Sequence, residues 1–151
     1  MSKVYYFAYG SNLDPSQMKD RVGGWISSER VRVEGYKLVF NVWSKEKWHG
    51  WAANLKKTDS IEDTSYGVMY EITNQQLVTM AGWEGKDIVP MSISVKKENN
   101  RRQNDVKIFI WTKEEPSHEP TDAYKKAIIT GLKQHGYEQE IIERVQKEFY
   151  Q

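Results

Sequence analysis

The chain has 151 residues, with 22 Lys plus Arg against 21 Asp plus Glu and a formal net charge of +1. That length suits a single domain, 1–151, with its own core, because about two-thirds of the unfolded surface is buried at this size; the near-neutral charge supplies no whole-molecule pull toward nucleic acid or acidic membranes. The absence of cysteine excludes disulfides, thiolate catalysis and Cys-based zinc or iron–sulfur sites.

The first apolar run, residues 4–9 (VYYFAY), is too short for a signal segment, and no stretch is long and apolar enough to span a bilayer, so a cytoplasmic protein is expected. The run is β-branched and aromatic without polar alternation, the pattern of a strand buried on both faces. Gly10 ends it. Asp14, Pro15 and Gln17 then read as N-cap, N1 and N3 of a short helix, with Leu13 and Met18 as its hydrophobic staple and Gly23-Gly24 as its stop.

Extended runs follow at 30–33 and 37–43, separated by a turn at 34–36, then at 51–56 and 67–72, with a polar exposed loop at 57–65. Thr73 and Gln76 form a capping box for a second short helix carrying Leu77 and Met80 and closed by Gly82 or Gly85. Residues 88–97 and 106–112 alternate as a hairpin around the polar tip 98–105. Thr121 caps an amphipathic helix with Tyr124, Ala127, Ile128, Gly131 and Leu132 on one face, ending at Gly136. The last helix, 138–149, turns Ile141, Ile142, Val145 and Phe149 inward. Strands and helices do not alternate strictly, so the class is α+β.

A buried strand that opens through Gly10 into a helix start is first of all a connection. It also gathers backbone N–H groups of Ser11, Asn12 and Leu13 at one point where an anion can bind. It is not a P-loop, because the second Gly and the Lys are missing, and Ser11 lacks the flanking glycines of a nucleophile elbow. His49, His118 and His135 are scattered and read as structural or surface groups, His135 as a cation suited to a helix C-terminus. No metal-ligand spacing appears. Trp83-Glu84-Gly85 is a candidate general base, since an indole beside the carboxylate can desolvate it and raise its pKa. Residues 45–49 and Arg101-Arg102 carry few and mixed charges and read as solvated loops rather than base-stacking surfaces.

In order along the chain, YFAYGSNL, GYKLVFNVWS, GVMYEIT, WEG and DAYKKAIITGLKQHGY resemble the gamma-glutamylcyclotransferase-like (AIG2-like) family. The resemblance implies a small mixed β-barrel flanked by short helices, with two C-terminal helices, and release of 5-oxoproline from a γ-glutamyl amino acid or amine. It implies that Tyr9, Gly10, Ser11, Asn12 and Leu13 form the substrate loop, that Glu84 is the catalytic acid/base and that Tyr124 lines the pocket. In such a substrate the α-amine reaches the γ-carbonyl, so the nucleophile belongs to the substrate and no cofactor or metal is needed. The expected partner is that small molecule, with no nucleic acid and no membrane. Gly10 is expected at positive φ, close to the ligand. Many relatives carry an aromatic pair where this chain has Met91 and Ser92 near Val89-Pro90, which puts the leaving-group contact in question. The competing reading is a non-catalytic module that binds a small carboxylate on the same fold, with Glu84 turned away from the loop.

Overall fold

The computed structural model describes residues 2–85, 88–112 and 115–150. β1 (Lys3–Ala8) is paired on both edges. It runs antiparallel to β5 (Thr64–Thr73), with Tyr6 opposite Tyr70, and parallel to β7 (Arg102–Ile108), with Tyr5 opposite Val106. β5 also pairs with β2 (Ser27–Glu34), β2 with β6 (Met91–Lys97) and β6 with β7, so the order β1-β5-β2-β6-β7 closes into a barrel. The single parallel pair makes the barrel mixed. β3 (Tyr36–Ser44) and β4 (Gly50–Lys57) form a separate hairpin whose register shifts between Val39 and Val42.

The continuous apolar run of β1 is explained by its position. Its second half, Tyr6 to Ala8, is at most 3 % exposed and packs with Tyr70, Ile72, Ile108, Ile128 and Leu132 in one core. Each large apolar side chain buried in this way contributes roughly 1.5–3 kcal/mol.

The helices form where their caps predict. α1 (Pro15–Val22) starts at Asp14, whose carboxylate accepts from the Ser16 N–H at 3.0 Å, and stops at Gly23, which takes φ 85°. α2 (Asn74–Glu84) has the full Thr73/Gln76 capping box and ends at Gly85 rather than Gly82. Gln76 Nε2 also donates to the carbonyls of Val22 and Gly24, at 3.1 and 3.0 Å. Trp83 Nε1 donates to the Arg21 carbonyl at 3.2 Å. These bonds tie both ends of α2 to α1 and set where Glu84 emerges. α3 (Asp122–Gln134) buries the five residues its periodicity singles out. It lies so close to the turn after β1 that a Cβ on Gly131 would come within 2.3 Å of the Leu13 carbonyl carbon. α4 (Gln139–Glu148) buries Ile142 and Val145, with Phe149 just beyond, while Ile141 is only half-buried.

The second hairpin differs from the expectation. Residues 102–105 belong to β7 instead of a long tip, whereas 88–90 precede β6 and 109–112 lie beyond β7. Their polarity misleads because the outer face here is solvated. Ser92 and Ser94 reach Asp105 and Asn104 across the strands, at 2.9 and 2.7 Å. Ser65 likewise belongs to β5, buried, and its hydroxyl donates to the Tyr36 carbonyl at 3.0 Å. Among the described residues no helix is long and apolar enough to cross a membrane.

Candidate active site

At the end of β1 the chain folds into a 3-10 turn over Ser11–Leu13, closed by Leu13 N–H to the Gly10 carbonyl at 3.0 Å and Asp14 N–H to the Ser11 carbonyl at 3.0 Å. Two expectations change here. The Leu13 amide is engaged inside the turn and its side chain is 1 % exposed, so Leu13 supports the loop without lining the cavity. The N-terminus of α1 is already capped by Asp14, whose carboxylate takes the Ser16 N–H. Gly10 has φ −117°, outside the left-handed region. Glycine is required for space, because a Cβ would stand 2.7 Å from the Tyr124 hydroxyl oxygen and 3.1 Å from Ala53 Cβ.

The turn borders a cavity of about 160 Å³ lined by Tyr9, Gly10, Ser11, Asn12, Glu84 and Tyr124. The remaining wall includes Tyr6, Arg21, Trp83, residues of the β3–β4 hairpin, and Phe109 and Trp111. Glu84 arrives from the last turn of α2. Tyr124 arrives from the first turn of α3, whose Thr121 hydroxyl accepts from the Tyr124 N–H at 3.3 Å.

Asn12 is the centre of the polar network. It is 4 % exposed, so each of its polar atoms needs a partner. Its Oδ1 accepts from Gln17 Nε2 at 2.9 Å and Arg21 Nη1 at 3.0 Å. Because both of those groups can only donate, the amide nitrogen must face the other way. There Nδ2 donates to the Tyr6 hydroxyl at 2.9 Å and Met80 Sδ at 3.2 Å, and reaches Glu84 Oε1 at 3.4 Å. Gln17 also donates to Ser11 Oγ at 2.6 Å. The loop and the carboxylate are thus held in one frame.

Burial pushes the Glu84 carboxyl up to about 7, and the nearby Arg21 guanidinium offsets part of that rise. The desolvation is a property of the cavity more than of the adjacent indole, since Trp83 is itself 55 % exposed. Glu84 stands close enough to Tyr6, Tyr9 and Tyr124 to contribute to the rise in their phenolic pKa values, of which burial is the main cause. The Tyr9 hydroxyl donates to the Phe109 carbonyl at 2.5 Å. The Tyr124 hydroxyl accepts from the Ala53 N–H at 2.9 Å, and its pKa is pushed up to about 12.

Sequence reasoning missed several groups that line or brace the cavity. Arg21 and Gln17 are four residues apart, hence on one helix face, and both point back at Asn12; that spacing was a usable signal. Lys47 and Trp48 line the cavity, which corrects the purely solvated reading of 45–49. Met91 and Ser92 lie at the start of β6 and do not line it. None of the three histidines does either. His118 stacks on Trp51 at 4.2 Å, and the half-buried His135 ring sits 3.0 Å from the Tyr70 hydroxyl, with burial lowering its pKa rather than favouring a cation. Among the described residues no three His, Asp or Glu side chains are grouped as metal ligands.

The closed mixed barrel thus carries a small cavity in which a carboxyl with a raised pKa lies beside the Gly10 turn. The AIG2-like family model matches residues 64–145. Mouse gamma-glutamylcyclotransferase is 28 % identical over 145 residues, covering 93 % of this chain and 76 % of that protein. The bovine enzyme of the same name is 30 % identical over 137 residues, covering 87 % and 71 %. A solved gamma-glutamyl cyclotransferase structure superposes with a TM-score of 0.83 at 25 % identity, covering 96 % of this chain and 87 % of that one. The chain belongs to the AIG2-like family and has the gamma-glutamylcyclotransferase fold.

Proposed function

We propose that this chain is an enzyme of the gamma-glutamylcyclotransferase type that releases 5-oxoproline from a γ-glutamyl amino acid or amine, with Glu84 as general acid/base. The class of activity rests on the relatives of that name. The roles rest on one observation above all: the carboxyl of Glu84, raised to about 7, meets Asn12 of the Gly10 turn at 3.4 Å. A non-catalytic carboxylate-binding module called for Glu84 turned away from that turn, so this contact favours the enzyme.

The substrate's α-carboxylate binds the amides of Ser11 and Asn12, with Gly10 and Tyr9 beneath it and Tyr124 at the side. Glu84 takes a proton from the α-ammonium, and the free amine attacks the γ-carbonyl carbon. The new C–N bond closes the five-membered lactam as the old amide C–N bond breaks. Glu84 returns that proton to the departing nitrogen, then takes the second proton that the attacking nitrogen sheds on becoming the lactam N–H and passes it to the freed amine, which leaves as its ammonium, so Glu84 is regenerated. Holding the folded conformer can supply about 7–11 kcal/mol in favourable intramolecular cases. A carboxyl with a pKa near the working pH adds roughly two to four powers of ten in rate.

The test is a panel of γ-glutamyl amides assayed for 5-oxoproline. Release from at least one member by wild type is the expected result. A folded protein that binds 5-oxoproline yet releases none from any member would overturn the proposal in favour of the binding module.

A further inference from the structure

We propose that the site selects γ-glutamyl conjugates of aromatic α-amino acids, with the leaving group's ring against Trp43 and its carboxylate at Lys47. This rests on the cyclotransferase reading above and names the substrate class within it. With the glutamyl half held between the Gly10 turn and Glu84, the leaving amine extends toward the wall contributed by the β3–β4 hairpin and Trp111.

That wall is dominated by indoles. Trp43 lines the cavity and is nevertheless 55 % exposed, an apolar surface that a bound ring would cover. It is braced edge-on by Trp51 at 5.4 Å and 74°. Trp48 packs edge-on against Tyr124 at 4.9 Å. Trp111 is fixed through its backbone, because Asn54, 2 % exposed, accepts from its N–H at 3.0 Å and donates to its carbonyl at 2.7 Å. A wall already held in place loses little freedom when a ring settles on it.

The charges point the same way. Lys47 makes no ion pair among the described residues; its ammonium sits over the Trp48 ring at 5.6 Å. Among the described residues Glu84 is the one carboxylate that lines the cavity, and it is engaged in proton transfer, while Arg21 adds a second cation. A cationic leaving amine therefore meets like charge, with no free counter-ion among the described lining residues. An α-carboxylate finds Lys47. A small leaving group such as alanine leaves the exposed indole uncovered.

The experiment compares 5-oxoproline release from γ-glutamyl-phenylalanine, γ-glutamyl-alanine, γ-glutamyl-phenethylamide and ε-(γ-glutamyl)-lysine by wild type, Trp43→Ala and Lys47→Met. Wild type should prefer the phenylalanine conjugate over the alanine one by about tenfold in kcat/KM, and that ratio should collapse in Trp43→Ala. It should prefer phenylalanine over phenethylamide by roughly three- to fivefold, the scale of an exposed ion pair, and Lys47→Met should abolish the difference. Turnover in which alanine or lysine conjugates equal or exceed phenylalanine would overturn the proposal and leave the cyclotransferase reading standing. No release from any conjugate would overturn the cyclotransferase reading itself. Both side chains are exposed, and the wild-type ratios decide the matter even where a variant is unstable.

Discussion

Removing the charge of Glu84 should make the protein more stable while making it inactive, and the pH at which the stabilisation appears follows from the site. Burial raises this carboxyl from the ordinary 4.5 to about 7. Between those values the folded state keeps a proton that the unfolded chain has released, so stability falls as pH rises through the window. Below about 4.5 the group is protonated in both states, and above about 7 it is ionised in both. At about 1.4 kcal/mol per pH unit the accumulated loss is about 3 kcal/mol. Glu84→Gln is neutral throughout and escapes it. Urea unfolding of wild type and Glu84→Gln at pH 5 and pH 8 measures the effect. The variant should gain little at pH 5 and about 3 kcal/mol at pH 8, or roughly 6–12 °C in Tm for a chain of this size. Parallel pH dependences in the two proteins would show that Glu84 is not desolvated and would refute the reasoning.

Arg21→Met removes the cation that partly offsets the rise at Glu84, so the acid limb of the kcat/KM–pH profile should move above about 7; a limb that stays or falls would contradict the assignment. Gly10→Ala places a Cβ 2.7 Å from the Tyr124 hydroxyl and should weaken 5-oxoproline binding by at least about tenfold, the scale of a core overpacking, with the loss partly recovered in Gly10→Ala/Tyr124→Phe; calorimetry reads both. Asn54→Leu leaves the N–H and carbonyl of Trp111 without the partners they have at 3.0 and 2.7 Å and should destabilise by about 1–3 kcal/mol in denaturant unfolding.

The parts of the fold visible in the sequence are those set by local chemistry. The Asp14-Pro15 cap, the Thr73/Gln76 box and the five buried positions of α3 each follow from side chains within a turn or two of one another. Glu84 and the Gly10 turn stand out from the residues as a candidate base and a candidate anion site, and the family resemblance supplies their expected roles. What the residues alone did not carry was their distance from one another, since 72 positions separate Asn12 from Glu84 and α1 brings them together through Gln76 and Trp83. The Leu13 amide reads as free in the sequence because a 3-10 turn and an open anion loop can have the same residues, whereas it donates to the Gly10 carbonyl. Gly10 reads from the sequence as a positive-φ position close to the ligand, whereas its φ is −117° and the space it leaves is filled by the Tyr124 hydroxyl, 114 residues away. Lys47 and Trp48 resemble a solvated loop because local composition does not show that the β3–β4 turn borders the cavity.

The central claim is that Glu84 moves the proton while the Gly10 turn holds the glutamyl group, and one comparison separates these roles. Single-turnover release of 5-oxoproline at pH 8, with 5-oxoproline affinity measured alongside, should be run on wild type and Glu84→Gln. Release should fall by at least about a hundredfold in the variant, the lower end of general acid–base catalysis, while both proteins bind 5-oxoproline with similar affinity. Release at wild-type rate from folded Glu84→Gln would contradict the account.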